Sequence, residues 1–264
     1  MPRLMLTDDS WKLLSKIMHL TGRIYNKPEH RMTLEGILFR IRTGIPWRDL
    51  PRQFGEWNTV FRRFNLWSKK GVMMEIFQFL SRLNDPQWLF IDASIVKTHQ
   101  DGANVKDASK QAIGKSRGGN STKIHLAVDS SGLPVHFELS GGQAHDVSYA
   151  ETLVTSSPEA EVVIADKGYD CEALRQLIKS RRGQHVIPRK GNSKQGNKDI
   201  DWCLYRYRHL VENAFLKIKK YRAVATRYDK LARNYESVVA LAFSIMWLPM
   251  WVDWNMHYKD KHAL

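Results

Sequence analysis

The apolar residues of this chain follow two different periods, and the change comes at residues 84–86, whose sequence Asn-Asp-Pro favours a turn. Before this point the apolar positions recur at helical spacing. Three helices are predicted there: Asp8–Leu20, Thr33–Thr43 and Trp57–Lys69. The sequence therefore predicts a small all-helical domain over residues 1–84, ahead of a second domain over residues 85–264.

The second domain alternates strand-like and helix-like segments, which is typical of an α/β fold, here with a mixed sheet. The predicted strands are 88–95, 123–129, 133–140, 162–166 and 185–189, and the predicted helices are 146–155, 172–182 and 201–221. Two polar segments, 102–122 and 191–198, are expected to be loops, and the first of them is expected to be mobile.

A final apolar segment, Val238–Val252, has the composition of a membrane span but not the length. It is shorter than the roughly 20 residues that a span requires, and it contains Pro249. We therefore expect a core or dimer helix there, and no membrane partner.

The charge balance indicates the class of partner. Lys and Arg total 41 against 27 Asp and Glu, and the net charge of +14 argues for a polyanion, above all nucleic acid. Residues 31–70 hold nine basic and three acidic residues, more than a solvated face requires. Arg62 and Arg63 stand where a helix-turn-helix unit has its recognition helix. Basic residues on a solvated helix face are equally common, so both interpretations stay open.

Two features bear on location. Cys171 and Cys203 are too few for a disulfide framework and too far apart for a metal knuckle, which fits a reducing compartment. The first residues do not have the layout of a signal peptide. A cytoplasmic, nucleoid-associated location is expected.

Two acids stand at the ends of apolar strands, in a chain where acids are the scarcer charge. Asp92 follows residues 88–91 and Asp166 follows residues 162–165. Ligands of α/β sheets collect at the carboxyl ends of strands, so two carboxylates placed there can share a divalent metal. Taken singly, each acid is explained as well by turn formation or helix capping.

A third acid, Glu212, lies on the predicted helix 201–221. At about 100° per residue it shares one stripe of that helix with three other residues: Tyr205, Arg208 and Lys219. Arg208 and Glu212 are also explained as an ordinary ion pair four residues apart. That explanation does not account for Tyr205 and Lys219.

These four residues match Y-x2-R-x3-E-x6-K, the signature around the last catalytic acid of many insertion-sequence transposases. With the segments around Asp92 and Asp166, and with Gly44–Pro51, the chain resembles the IS-five-like branch of bacterial DDE transposases. The resemblance implies an RNase H-like fold in which Asp92, Asp166 and Glu212 are catalytic and bind two Mg²⁺ ions, for which Mn²⁺ can substitute. It further implies that Tyr205, Arg208 and Lys219 support the site or bind DNA.

The function that the resemblance implies is transposition. The enzyme would bind the terminal inverted repeats of its element through the helical domain, cleave there and transfer the strand into target DNA, as a homodimer on DNA. Two metals suit such in-line displacements, because they activate the attacking oxygen and stabilise the leaving one. Two alternatives stay open: a metal-dependent nuclease without strand transfer, and a non-catalytic DNA-binding regulator derived from a transposase.

Other polar residues are given structural roles. Asp129 is expected to start a hairpin turn, and Asp146 and Asp170 to cap helices. His125 is expected to be packed or hydrogen-bonded, because no second His or Cys stands at metal spacing. His145 is a weak site candidate. Three tryptophans are assigned to core packing: Trp47, Trp57 and Trp67.

Overall fold

The computed structural model of the protein describes residues 3–22 and 27–262. The helices are α1 (Asp8–Leu20), α2 (His30–Thr43), α3 (Trp57–Lys69), α4 (Val72–Leu80), α5 (Gln100–Ala103), α6 (Ala150–Ser156), α7 (Glu172–Ser180), α8 (Trp202–Tyr205), α9 (His209–Lys219), α10 (Arg222–Ala225) and α11 (Ala232–His262). The strands are β1 (Trp88–Thr98), β2 (Gly114–Ser116), β3 (Gly119–Val128), β4 (Pro134–Gly141), β5 (Val162–Ala165), β6 (Gln184–Val186) and β7 (Thr226–Arg227).

The chain divides into two compact units. A helical unit combines Met1–Leu83 with Ile218–Leu264, and a sheet unit comprises Asn84–Lys217. The residues from Ile218 onwards therefore cluster with the first helices, although they follow the sheet in sequence. The division into a DNA-binding domain over residues 1–84 and a catalytic domain over residues 85–264 stays a prediction.

In the helical unit, α1 and α3 have the bounds that the sequence predicts. The start of α1 is defined by Thr7, whose hydroxyl accepts a hydrogen bond from Ser10 N at 3.1 Å. The second helix begins at His30, three residues earlier than predicted, and ends at Thr43, with Gly44 as its C-terminal cap. Gly44 has a φ of +71°, a left-handed conformation that glycine adopts without strain.

The core of this unit contains packed aromatic rings and a buried ion pair. Trp67 is buried, and Trp47 packs on Phe64 with ring centroids 5.2 Å apart, so both indoles serve the core as predicted. Arg40 Nη1 lies 3.2 Å from Asp229 Oδ2, with both side chains under 10% exposed. The Arg40 guanidinium also stacks over the Trp47 ring.

Helix α4 was not predicted, because nine mostly apolar residues show no clear period. It packs on α11, where the rings of Phe77 and Phe243 lie 5.8 Å apart. Within α11, Ala232–Val252 is long and apolar enough to cross a membrane by length and composition alone. However, 61% of that window is buried inside the protein, as in the core helix that the sequence predicts.

The sheet unit is built on a mixed sheet. β1 pairs antiparallel with β3, which pairs antiparallel with β2 and β4 along its other edge. On the opposite side β1 runs parallel to β5, and β5 runs parallel to β6. The two parallel connections contain α6 and α7, as such crossovers require. This is the RNase H-like mixed sheet flanked by helices, so the predicted fold class is confirmed.

Two predicted segments are wrong in part. Residues 114–122, expected in a mobile loop, contain β2 and the start of β3, because the pairing of β2 with β3 and of β3 with β1 outweighs the low strand propensity of their glycines. The predicted helix 201–221 breaks into α8, a 3-10 turn at Arg206–Arg208, and α9. The helical period of the sequence did not predict this break, because it contains no information about the tertiary ion pairs made at this turn.

Candidate active site

Asp92 and Asp166 are brought side by side by the pairing of β1 with β5. In the parallel register Ile91 stands opposite Ala165, so the next residue along each chain is one of the two carboxylates. Neighbouring strands lie about 4.8 Å apart and residues in register share a face, so both side chains leave the same face of the sheet. Asp166 also accepts a hydrogen bond from Gly168 N at 2.7 Å, so it shapes the turn that ends β5.

Arg208 connects two of the three predicted acids. Its guanidinium donates to Asp92 Oδ2 at 3.3 Å and, through its other amino group, to Glu212 Oε1. Arg208 is the last residue of the 3-10 turn, and Glu212 lies in the first turn of α9. The ion pair that the sequence left open is therefore present, and the same guanidinium also binds an acid on the sheet.

The three acids are close enough to influence one another. Burial raises the pKa of Asp92 from 3.8 to about 6, and the negative charges of Asp166 and Glu212 raise it as well. A hydrogen bond from Ala93 N, at 2.7 Å, and the charge of Arg208 act in the opposite direction. Asp92 is the more enclosed ligand candidate, with a side chain 20% exposed against 47% for Glu212.

The donor set suits a hard divalent cation, because carboxylate oxygens are the ligands that Mg²⁺ and Mn²⁺ take in proteins. Across residues 3–22 and 27–262, no three acidic, His or Cys side chains converge closely enough to hold a metal ion. The positive charge between Asp92 and Glu212 comes from Arg208. The carboxylates are therefore of the chemical type that binds Mg²⁺ or Mn²⁺. A metal ion shared by Asp92 and Glu212 would compete with Arg208 for them.

The supporting residues predicted from the sequence occupy different places. Tyr205 lies beside the site, with its ring centroid 5.9 Å from the Arg208 guanidinium. Lys219 ends α9 and clusters with the helical unit, and burial lowers its pKa. Arg62 and Arg63 lie on α3, Arg62 exposed and Arg63 half-buried.

One residue of this region, Tyr169, was missed from the sequence. It is fully buried three residues after Asp166, and its hydroxyl has no hydrogen-bond partner among the described residues. Burial and the charges of Asp92, Asp146 and Asp166 raise the pKa of this phenol. The sequence feature that could have identified Tyr169 is the position of a tyrosine in the turn that directly follows an acid at the end of a strand.

Two structural roles predicted for other residues are confirmed. The carboxylate of Asp129 accepts hydrogen bonds from Ser131 N at 3.0 Å and Leu133 N at 2.8 Å, which forms the turn between β3 and β4. His125 is buried, hydrogen-bonded through Nε2 to Ser140 Oγ at 2.8 Å and stacked on Tyr149. Burial lowers the pKa of His125 to about 4, which keeps the ring neutral.

The capping roles predicted for Asp146 and Asp170 are wrong. Asp146 accepts a hydrogen bond from Lys123 Nζ at 2.7 Å, and His145 holds the cap position without a side-chain bond. Asp170 binds Arg175 at 2.7 Å, and Cys171 stands at the cap of α7. In both cases a basic side chain brought in by the fold attracts the carboxylate more strongly than the helix end does.

Comparison with protein families gives two matches that together span most of the chain. The family described as "Transposase DDE domain" matches residues 84–247. The family described as "Putative transposase of IS4/5 family" matches residues 6–77. The first match covers the sheet unit and the three acids, and the second covers α1 to α3.

Individual relatives agree with these matches. A "Putative transposase for insertion sequence element IS6501" from Brucella ovis is 34% identical over 127 residues, which are 48% of this chain and 98% of the relative. A "Putative transposase for insertion sequence element IS402" from Burkholderia cepacia is 26% identical over 154 residues, covering 54% of this chain and 67% of the relative.

Solved structures give weaker likenesses. A piggyBac transposase synaptic complex with hairpin DNA has a TM-score of 0.48 at 11% identity, covering 95% of this chain and 72% of that one. A Mos1 transposase paired-end complex with left transposon end has a TM-score of 0.28 at 11% identity, covering 84% of this chain and 79% of that one. At these scores neither likeness adds to the fold assignment, which rests on the sheet and the family match.

Proposed function

Because the chain belongs to the DDE transposase family of insertion sequences, we propose that it cleaves DNA at the ends of its element and transfers the strand to new DNA with Asp92, Asp166 and Glu212. The observation that carries this proposal is the register of β1 and β5, which sets Asp92, inside β1, beside Asp166, which directly follows β5. Arg208 links Glu212 to the same place.

Transposases of the DDE family generally use divalent metal ions, and Asp92, Asp166 and Glu212 are the residues that would hold Mg²⁺ or Mn²⁺ here. Bound there, two such ions would activate the attacking oxygen and stabilise the leaving one. Asp92, on which the charges of both Asp166 and Glu212 act, would be the central acid of this set. In cleavage, water attacks phosphorus, the bond from phosphorus to the 3′ oxygen breaks, and that oxygen leaves as a 3′ hydroxyl. In strand transfer, this hydroxyl attacks a target phosphodiester, and a 3′ hydroxyl of the target strand leaves.

Arg208 and Tyr205 would act on the DNA rather than on the metal. A guanidinium suits bidentate recognition of phosphate, and Arg208 already lies beside the acids. Tyr205 lies next to it and would position a strand. Lys219 would add positive charge at the end of α9.

Recognition of the terminal inverted repeats is assigned to the helical unit. Arg62 and Arg63 on α3 lie within residues 31–70, where basic residues outnumber acidic ones by nine to three, and Arg62 is exposed. We assign them phosphate or base contacts in the manner of a recognition helix. Two copies of the chain, one for each end of the element, would assemble on the DNA.

The test uses three near-isosteric variants: Asp92→Asn, Asp166→Asn and Glu212→Gln. Each should abolish cleavage of a plasmid that carries the element with its flanking DNA, while binding to the same DNA persists, since each removes metal charge at nearly constant volume. Glu172→Gln is the matched control, because this exposed acid on α7 lies outside the site and should leave cleavage unchanged.

The products separate the competing functions. Joined target DNA identifies a transposase, whereas cut ends without joined product identify a nuclease. DNA binding that regulates transcription, unaffected by all three variants and by chelator, identifies a non-catalytic regulator. Wild-type cleavage by any one of the three variants removes that residue from the catalytic set.

A further inference from the structure

The hairpin formed by β2 and β3 projects two basic side chains that the active site does not use. Gly114 pairs with Ser121, Lys115 with Asn120, and Ser116 with Gly119. Lys115 and Arg117 are both exposed. Gly119 has a φ of +92°, so the turn at the tip relies on a glycine.

The base of this hairpin is held firmly. Ser121 and Thr122 are buried, and Thr122 Oγ1 donates to Ala112 O at 2.7 Å. Gly142 N donates to Ser121 O at 3.1 Å, and a Cβ on Gly142 would lie 2.0 Å from Ser121 Oγ. The hairpin is therefore anchored at its base and exposed at its tip, which pre-organises the two basic residues.

The positive charge at the tip is uncompensated. The chain has no acid between Asp107 and Asp129. In the part of the chain that the structure describes, neither Lys115 nor Arg117 has an acidic partner within ion-pair distance. Lys123, at the other end of β3, differs in this respect, because it is paired with Asp146 at 2.7 Å.

The hairpin extends the same face of the sheet that carries Asp92. Lys97 stands opposite Ser121, so these two side chains share a face. Lys115 pairs with Asn120, the residue just before Ser121, so Lys115 lies on the face of the sheet opposite to Lys97. Side chains alternate along β1, so Asp92 also lies on the face opposite to Lys97 and therefore on the same face as Lys115. At about 3.3 Å per residue, the six residues from Asp92 to Thr98 place the hairpin roughly 20 Å from Asp92 along the strand.

We propose that this hairpin is a DNA-backbone contact of the transposase, with Lys115 and Arg117 binding phosphates away from the scissile position. At about 3.4 Å per step, 20 Å corresponds to roughly six base pairs. The contact reads no sequence, because it is made to phosphates. It rests on the proposed function, since it assumes that DNA runs across the Asp92 face.

The experiment measures binding of the full-length chain to a fluorescein-labelled duplex of random sequence by anisotropy, at several salt concentrations. The double variant Lys115→Ala/Arg117→Ala should lower the slope of log affinity against log salt by about 1.8, because each phosphate contact contributes about 0.9. Between about 50 and 200 mM salt, the loss of affinity should then be roughly twelvefold smaller than in the wild type.

Two controls make this result specific. Lys97→Ala removes an exposed charge from the opposite face of the same sheet and should leave the slope within about 0.3 of wild type. The charge-conserving variant Lys115→Arg/Arg117→Lys should retain the wild-type slope, and thermal unfolding should show that all variants fold alike.

Each contrary outcome has its own meaning. A wild-type slope in the double variant, or an equal reduction by Lys97→Ala, overturns the hairpin contact and leaves the catalytic proposal standing. A wild-type chain that shows no salt-dependent DNA binding overturns both. Loss of cleavage in the three acid variants together with an unchanged slope in the hairpin variant would support the catalytic proposal and overturn the hairpin contact.

Discussion

Arg208 Nη1 lies 3.3 Å from Asp92 Oδ2 although 116 residues separate them in the sequence. The same guanidinium holds Glu212, so two of the three proposed metal ligands share one positive charge. The charge of Arg208 partly opposes the rise in the pKa of Asp92 that burial causes, since an opposite charge nearby favours ionisation.

Arg208→Gln should tighten the binding of Mn²⁺, because it removes the cation that competes for Asp92 and Glu212. We expect roughly a tenfold gain in affinity, about 1.4 kcal/mol, measured by titration calorimetry. DNA cleavage should fall at the same time, because the phosphate contact is lost. Arg206→Gln, an exposed arginine two residues earlier, is the control and should change neither quantity. Weaker Mn²⁺ binding by Arg208→Gln would show that the guanidinium supports the metal site instead.

Because His125 is buried, we expect the folded protein to lose stability in acid. Burial lowers the pKa of folded His125 to about 4, against 6.5 for an unburied histidine, so the unfolded state binds more protons between these two values. Stability must therefore fall as the pH falls through 6.5, by about 2 kcal/mol at pH 5. Denaturant unfolding near neutral pH and near pH 5 should show this loss in the wild type and a smaller one in His125→Gln. His145→Gln, at an exposed position, should behave as wild type.

The buried pair of Arg40 and Asp229 predicts the cost of breaking a core ion pair. Asp229→Asn should destabilise the chain by about 3 kcal/mol, because it leaves the Arg40 charge buried without a counterion. Asp199→Asn breaks the pair with Arg189 at a largely exposed carboxylate and should change stability little. Urea unfolding compares the two, and equal losses would contradict the role of burial.

We expect that removing the buried hydroxyl of Tyr169 costs no folding stability. Since this hydroxyl has no protein partner among the described residues, Tyr169→Phe should leave stability unchanged or raise it by up to about 1 kcal/mol. Tyr235→Phe is the matched control: it is equally buried, but its hydroxyl donates to Val224 O at 2.8 Å, and its loss should cost about 1 to 3 kcal/mol. Similar destabilisation by both variants would mean that the Tyr169 hydroxyl has a partner in solution.

Local patterns in the sequence were sufficient for much of the secondary structure. The helical period and its start and stop signals predicted α1 and α3 to the residue, and the apolar run before Asp92 predicted where β1 begins. The same runs indicated that Asp92 and Asp166 end or interrupt apolar strands. These features depend on neighbours within a few positions, so they can be read without the fold.

Tertiary structure decided which of these features meet. The register that sets Asp92 beside Asp166 is a pairing between strands more than 60 residues apart, and Arg208 contacts Asp92 from a 3-10 turn that breaks the predicted helix. The strands of the basic hairpin form by pairing at the edge of the sheet despite a glycine-rich sequence. In the first two cases the deciding energy is a long-range hydrogen bond or ion pair, which local propensity does not contain.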